Sequence, residues 1–250
     1  HRDLHLSLRR QRQMCIRDRN NPVLLIGKTF GHLFQSIFFE EILTSTADEI
    51  GTVYCFICST LEYPKDLSWV AFNLRPEATF SDETKLTAED VEFSYNLFLN
   101  EGLVSFRAVL SKLIEKVEVL DQNKIKFYFK KDAPRRDRIE TAGGLPIFSK
   151  KWFVDNQAKL DESRLEPALG SGPYVLDSYD INQEIRYKRN QNYWARNLNF
   201  AKGRNNFDFI RVEYFGDSNA AFEGFKSGAY TFRIENSCPE NKMGDKSLFR

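Results

Sequence analysis

Apolar and polar residues recur along the chain with two different periods, and these predict strands and single helices. Residues 33–43 (LFQSIFFEEIL) carry apolar side chains at helical spacing, which predicts an amphipathic helix. Residues 69–76 (WVAFNLRP) predict a half-buried strand that the proline ends. Thr87 and Asp90 are spaced as in a capping box, so a helix is predicted behind them, ending near Gly102.

The clearest alternation of apolar and charged residues lies between residues 114 and 129. Residues 114–119 and 124–129 flank a polar turn at 121–123, which predicts a β-hairpin. Hairpins and single helices, without a regular βαβ alternation, indicate a mixed α and β fold. The other predicted elements are paired strands at 174–178 and 184–189, a strand at 209–215, a helix at 220–226 and a strand at 230–234.

Composition indicates a folded protein with an unusual N-terminal segment. The 250 residues are 42% hydrophobic and 14% aromatic, which is enough for a substantial core and argues against disorder. No apolar run approaches the roughly 18 residues that a membrane span requires. The formal net charge is +1, but residues 1–19 hold six Arg and two Asp, so the remaining residues carry −3.

The segment HRDLHLSLRRQRQMCIRDR at residues 1–19 has three interpretations. Its arginines would suit a nucleic-acid-binding arm, whereas a secretory signal would need an apolar region that it lacks. Residues 9–19 also resemble one reading frame of a sequencing adapter. We therefore expect residues 1–19 to be an artefact and exclude them from the fold prediction, with any signal peptide lying upstream.

Little in the sequence indicates catalysis. His32 is the only histidine after residue 19, which nearly eliminates Ser-His-Asp and Cys-His mechanisms. The run Gly170-Ser171-Gly172 is interpreted as a strand-entry turn, since Pro173 lacks the N–H that a phosphate cradle needs. Cys55 and Cys58 are expected to be small buried residues, with a disulfide or a reactive thiol as the alternative to that interpretation.

Neighbouring charged residues are also given structural interpretations. Glu40-Glu41 and Asp82-Glu83 are expected to be solvated charges or turn formers, because adjacent helical positions point in different directions. The basic run at residues 135–138 lacks nearby aromatic residues and is expected to be a solvated loop. No catalytic residue, metal site or cofactor is predicted.

A series of short motifs, in order along the chain, resembles the bacterial extracellular solute-binding proteins of family 5, the peptide-type receptors of ABC importers. The later motifs are most similar to the oligopeptide and microcin-C-type branch. The set covers roughly residues 20–237. The motifs are SWVAFNLRP (68–76), FSD (80–82), LTAEDVEFS (86–94), LPIF (145–148), GSGPY (170–174), YKRNQNYW (187–194), GRNNFD (203–208), AFEGFKSG (221–228) and RIENS (233–237).

This resemblance implies an α/β fold of the periplasmic binding protein type II kind, with a mixed α+β sheet and two lobes that close on a ligand like a flytrap. Residues 20–237 are expected to form most of the first lobe, and residues 238–250 a frameshifted tail. The family usually has Asp-Gly where this chain has Asp82-Glu83. A turn position with positive φ is therefore expected to have been replaced or moved.

The implied function is that of the substrate-binding component of an ABC transporter, which captures oligopeptides or peptide-like solutes for import. The resemblance implies a monomer in the periplasm that is not an enzyme, needs no cofactor, binds no nucleic acid and docks on the membrane permease subunits. Candidate ligand-binding residues are Lys28, Thr29 and Phe30 before the first helix, and Glu235 and Asn236 near the crossover between lobes.

Two alternatives stay open at this level. A peptide hydrolase-like enzyme would need a nucleophile and a base, and His32 is its most plausible base. A nucleic-acid-binding protein would depend on residues 1–19 being genuine.

Overall fold

Strands and helices alternate in groups in the computed structural model, which describes residues 37–46, 49, 51–102, 104–160, 168–180, 184–213, 215 and 218–232. Over these ranges the strands form sheets of two, four and three strands. The strands are β1 (Leu43–Ser45), β2 (Val53–Cys55), β3 (Cys58–Glu62), β4 (Trp69–Leu74), β5 (Ile114–Asp121), β6 (Lys124–Phe129), β7 (Tyr174–Asp180), β8 (Glu184–Arg189) and β9 (Phe209–Glu213).

The helices lie between and after these strands. They are short, apart from the helix behind the predicted capping box. Within the described ranges, no helix is long and apolar enough to cross a membrane. The α-helices are α1 (Ala88–Glu101), α2 (Val104–Leu113), α3 (Arg138–Gly143), α4 (Lys150–Asp155) and α5 (Ser218–Lys226), and a 3-10 helix spans Trp194–Asn197.

The four-stranded sheet has the order β3-β4-β6-β5 and is antiparallel throughout. Its β5–β6 hairpin confirms the prediction from the alternating pattern. Strand β4 is more buried than predicted, with Val70 and Phe72 fully buried, because it lies between two neighbouring strands. Phe127 of β6 contacts both Phe72 and Tyr95 of α1 edge-on, which places α1 on the buried face of this sheet.

Helix α1 confirms the predicted capping box and the predicted end at Gly102. The Thr87 N–H donates to Asp90 Oδ2 at 2.9 Å, and the other carboxylate oxygen of Asp90 accepts the Lys150 N–H at 2.9 Å. The Ser94 hydroxyl accepts the Phe148 N–H at 2.8 Å. Polar groups of α1 therefore hold the segment that leads into α4. Helix α2 was not predicted.

The three-stranded sheet has the order β7-β8-β9 and is also antiparallel. The predicted pairing of β7 with β8 is confirmed, and β8 pairs on its other side with β9. Ile185 and Tyr187 point into the core from β8 and are buried. The helix predicted at 220–226 is present as α5.

Two predicted elements are wrong in the described residues. The helix predicted at 33–43 covers only Ile37 and Phe38 there, because Glu41 bridges to Pro146 and the chain then continues as β1. Tertiary pairing overrides the helical period at this point. The strand predicted at 230–234 is absent at 230–232, and its last two residues lie outside the described ranges.

The expectation for the cysteine pair is also corrected, since Cys55 and Cys58 form a disulfide. The bond closes the turn between β2 and β3, and Phe56 and Ile57 inside that turn are buried. The Phe56 ring lies 4.7 Å from the Phe200 ring, centroid to centroid. The disulfide therefore fixes a turn whose apolar tip enters the core.

Two charged side chains have specific partners. Arg138, expected in a solvated loop, is buried and donates to the carbonyl oxygens of Leu67 and Ala133, each at 2.7 Å. Glu83 has a φ of +68°, so the turn keeps its left-handed position without the glycine usual in the family. Its Oε1 accepts a hydrogen bond from Asn192 Nδ2 at 2.6 Å, which links this turn to the segment after β8.

Candidate functional site

The predicted ligand-binding residues Lys28, Thr29, Phe30, Glu235 and Asn236 all lie outside the described residues. Their roles stay predictions. The described chain does bring other motif residues together from distant parts of the sequence, around a buried carboxyl group.

We call Glu40, Glu41, Ser171 and Tyr193 the Glu40 junction. The Glu40 N–H donates to Ser171 Oγ at 3.0 Å, and the Tyr193 hydroxyl donates to Glu40 Oε1 at 2.5 Å. The Ile147 N–H donates to the Glu40 carbonyl oxygen at 3.1 Å. Residues from the LPIF, GSGPY and YKRNQNYW motifs thus meet at one glutamate.

Close backbone approach explains the two glycines of the GSGPY motif. The Gly172 N–H donates to the Phe38 carbonyl oxygen at 2.8 Å. A Cβ at Gly170 would lie 2.2 Å from the Phe38 carbonyl oxygen, and a Cβ at Gly172 would lie 2.4 Å from that of Ile37. The predicted strand-entry role is confirmed, because β7 begins at Tyr174. The glycines are needed for space at this contact.

Burial dominates the electrostatics of the Glu40 junction. Glu40 is only 8% exposed, and burial raises its pKa to about 8, with the Tyr193 hydrogen bond opposing the rise and the charge of Glu41 adding to it. Burial likewise raises the pKa of Glu41 to about 7. The pKa of Tyr193 is raised by burial and by the neighbouring Glu40 charge. The expectation that Glu40 is a solvated charge is therefore wrong.

The chemistry available to Glu40 is that of a structural hydrogen-bonding group. Its carboxyl group is shielded from solvent and occupied by Tyr193, so it is not positioned to exchange a proton with a substrate. Across the described ranges, no group of three His, Cys, Asp or Glu side chains is arranged to hold a metal ion.

The family comparison agrees with the resemblance that the sequence motifs indicate. The family model described as "Bacterial extracellular solute-binding proteins, family 5 Middle" matches residues 57–242. The chain belongs to this family. Three of the motifs that carry the resemblance, LPIF, GSGPY and YKRNQNYW, lie within the matched residues and contact Glu40.

Relatives in family 5 are considerably longer than this chain. "Uncharacterized protein YejA" of Escherichia coli is 37% identical over 198 residues, which are 79% of this chain and 32% of that protein. "Probable peptide-binding protein YejA" of Agrobacterium fabrum is 31% identical over 225 residues, covering 88% of this chain and 36% of that protein. The chain therefore spans about a third of the length of these relatives.

Solved structures of the family have the same fold. NikA from Brucella suis, in complex with Fe(III)-EDTA, superposes with a TM-score of 0.62 at 20% identity, covering 78% of this chain and 37% of that chain. AppA from Bacillus subtilis, in complex with a nonapeptide, gives 0.63 at 16% identity, covering 78% and 38%. The predicted mixed α and β fold of the type II periplasmic binding proteins is confirmed.

Sequence reasoning missed the Glu40 junction although its parts were visible. Ser171 and Tyr193 lie inside two of the family 5 motifs, and Glu40 follows the apolar pair Phe38-Phe39. The positions of Ser171 and Tyr193 within the family motifs were the available signal. Spacing along the chain did not show that these residues share one contact.

Proposed function

We propose that this protein is the substrate-binding component of an ABC transporter and captures oligopeptides or peptide-like solutes for import. Membership of family 5 over most of the chain carries the proposal. The relative from Agrobacterium fabrum is named a probable peptide-binding protein, and the AppA structure contains a nonapeptide. A peptide-like ligand is the class that these two proteins share.

In this proposal residues 20–237 contribute to the first lobe of a two-lobe flytrap. The ligand lies between the lobes, where main-chain hydrogen bonds tolerate many side chains and fixed charges hold its ends. Lys28, Thr29, Phe30, Glu235 and Asn236 line the cleft. Closure is a hinge motion, and the ligand drives it by binding the closed form more tightly.

The proposed setting is the periplasm, with the permease subunits of the transporter as partners and a monomer as the working form. The disulfide between Cys55 and Cys58 supports this setting, because such bonds persist in oxidising compartments. No bond of the ligand is made or broken. The buried, hydrogen-bonded state of Glu40 supports a binding role over an acid–base role.

The test is to purify the protein encoded at the genomic locus, denature it and identify released ligands by mass spectrometry. We expect peptides or peptide-like molecules, which then rebind the ligand-free protein in calorimetric titrations. Recovery of no such ligand, together with no binding from a peptide library, would overturn the proposal.

The same preparation separates the two alternatives. Turnover of a peptide that is lost on His32→Ala would favour a hydrolase. Nucleic-acid binding that disappears when residues 1–19 are deleted would favour the other alternative. The transport proposal expects neither result.

A further inference from the structure

One end of the four-stranded sheet carries a cluster of cationic side chains. Residues 65–67 precede β4 and residues 130–138 follow β6, and these two strands are antiparallel neighbours. The two segments hold six cationic and three acidic side chains, a net charge of +3, whereas residues 20–250 as a whole carry −3. The acids are Asp66, Asp132 and Asp137. We call the exposed cations of the two segments the basic patch: Lys65, Lys130, Lys131, Arg135 and Arg136.

The buried side chain of Arg138 fixes the backbone beneath the basic patch. Its guanidinium group donates to the Leu67 carbonyl oxygen at 2.7 Å, and to those of Lys130 and Ala133 at 3.1 and 2.7 Å. One arginine therefore holds the two segments together. No carboxylate among the described residues pairs with it, so its positive charge adds to that of the patch.

The exposed cations of the basic patch are also free of ion pairs. Within the described ranges, no carboxylate forms an ion pair with any of the five. Arg135 Nη2 instead donates to the Lys65 carbonyl oxygen at 2.7 Å. Hydrogen bonds from Ser68 lower the pKa of Asp66 most, and the charge of Arg135 adds to this effect. Cations that lack close anionic partners give the surface a positive potential, which attracts anions.

The surroundings of the basic patch favour a diffuse anionic surface over a protein partner or a nucleic acid. None of the large exposed apolar side chains of the described chain lies in the two segments, and a specific protein interface has an apolar centre. The segments contain no aromatic residue on which a base could stack. Phospholipid headgroups require neither feature, because they attract Lys and Arg side chains by charge alone.

We propose that the basic patch docks on the surface of a membrane that contains anionic phospholipids, with its cations against the lipid phosphate groups. The choice of a membrane rests on the proposed function, which places the protein beside the permease subunits of a transporter. The contact is electrostatic and reversible, because the patch has no large apolar side chain to enter the bilayer.

The first experiment measures sedimentation of the protein encoded at the genomic locus with two kinds of vesicle. One consists of phosphatidylcholine, and the other contains phosphatidylglycerol as about 40% of its lipid. At about 0.1 M salt we expect binding to the anionic vesicles to be at least about tenfold tighter. It should be lost at about 1 M salt, where the screening length falls from about 10 Å to about 3 Å.

Two results of this experiment would overturn the proposal. The first is equal binding to the two kinds of vesicle, or binding to anionic vesicles that salt does not weaken. The second is tighter binding to single-stranded DNA than to the anionic vesicles, which would assign the patch to nucleic acid.

Variants then locate the contact. Replacing Lys131 and Arg136 together by Gln removes two exposed charges from the patch, and should weaken binding to anionic vesicles about twentyfold. Replacing Lys151 and Lys202 by Gln is the matched control. It removes the same charge from two exposed residues outside the patch, which contact Asp155 and Asn199. This control should bind within about twofold of the parent.

Equal weakening in the two double variants would refute the assignment, because net charge and not the basic patch would then direct binding. All four substituted side chains are exposed, so both variants should keep the melting temperature of the parent.

Peptide binding separates this proposal from the proposed function. The variant that lacks Lys131 and Arg136 should bind peptide as the parent does, because neither residue is among those proposed to line the cleft. A loss of peptide binding in that variant would contradict a separate docking surface. Failure to bind any peptide would overturn the transport proposal and leave the result with vesicles unchanged.

Discussion

The four-stranded sheet and the Glu40 junction are both well packed, but their contacts span different distances along the chain. Strands β5 and β6 are neighbours in sequence. The ion pair from Lys124 to Glu62 joins residues 62 apart, but it is exposed and can exchange with water. In the Glu40 junction, Glu40 meets Ser171 and Tyr193 from 131 and 153 residues away, and the polar atoms are buried. A broken contact should therefore cost little on the sheet surface and much in the junction.

The largest effect is expected from Gly172→Ala. The added Cβ would lie 2.4 Å from the Ile37 carbonyl oxygen, so the backbone contact that closes the junction must open. We expect the free energy of unfolding in urea to fall by about 3 kcal/mol.

Gly203→Ala is the control for that substitution. Gly203 has a φ of +78° and nothing within 4 Å of an added Cβ, so only the backbone conformation is penalised. That penalty should be about 1 kcal/mol. Equal losses in the two variants would show that close approach at Gly172 is not what the junction requires.

This contrast also explains how much the sequence predicted. The β5–β6 hairpin and the Thr87 capping box depend on residues close together in the chain, and both were predicted. The helix expected at 33–43 failed because Glu41 pairs with Pro146, which no local period reveals. The contacts of Glu40 with Ser171 and Tyr193 are likewise not revealed by a local period, which is why the sequence wrongly predicts a solvated Glu40.

The family motifs predicted the fold without predicting the contacts inside it. The GSGPY and YKRNQNYW motifs can be recognised in the sequence, but only the structure shows that Ser171 and Tyr193 both contact Glu40. The cleft residues Lys28, Thr29, Phe30, Glu235 and Asn236 stay predictions, because they lie outside the described ranges.

The second effect is the pH dependence of stability, tested with Glu40→Gln. The folded-state pKa of Glu40 is about 8, which lies above the ordinary value of 4.5. Its protonated carboxyl group therefore contributes fully to the free energy of unfolding below pH 4.5, and this contribution is lost as pH rises toward 8. Glu41, whose pKa is raised to about 7, adds to this decrease of stability with pH only up to about pH 7. Between pH 7 and 8 the parent should lose up to about 1.4 kcal/mol per pH unit, and Glu40→Gln should lose much less.

Glu89, beside the four-stranded sheet, gives a pH dependence of stability of the opposite sign, which Glu89→Gln tests. The hydrogen bond from Lys150 lowers the pKa of the exposed Glu89 carboxyl, so its small contribution is present above the ordinary pKa and is lost as pH falls. Urea unfolding from pH 2.5 to pH 9 measures both slopes, because the loss at Glu89 occurs below its ordinary pKa of 4.5. A parent whose stability is flat between pH 7 and 8 would contradict a buried, protonated Glu40.

The third effect compares two tyrosine hydroxyls. Tyr193→Phe leaves the buried Glu40 carboxyl without its donor and should cost about 2 kcal/mol of unfolding free energy. Tyr128→Phe removes a hydroxyl that donates to Glu118 at 2.9 Å on the sheet surface, where water can replace it, and should cost less than about 0.5 kcal/mol. Similar losses for the two would remove the distinction between the regions.

The smallest effect is expected on the outer face of the four-stranded sheet, from Lys126→Gln. Lys126 Nζ lies 3.9 Å from the centre of the Trp69 ring and 4.8 Å from that of Tyr128, so the variant loses cation–π attraction but keeps most of the side chain. We expect a loss of about 0.5 kcal/mol in urea unfolding followed by tryptophan fluorescence, with Lys202→Gln as the control. A loss as large as that of Tyr193→Phe would mean that this exposed face depends on single contacts as strongly as the Glu40 junction does.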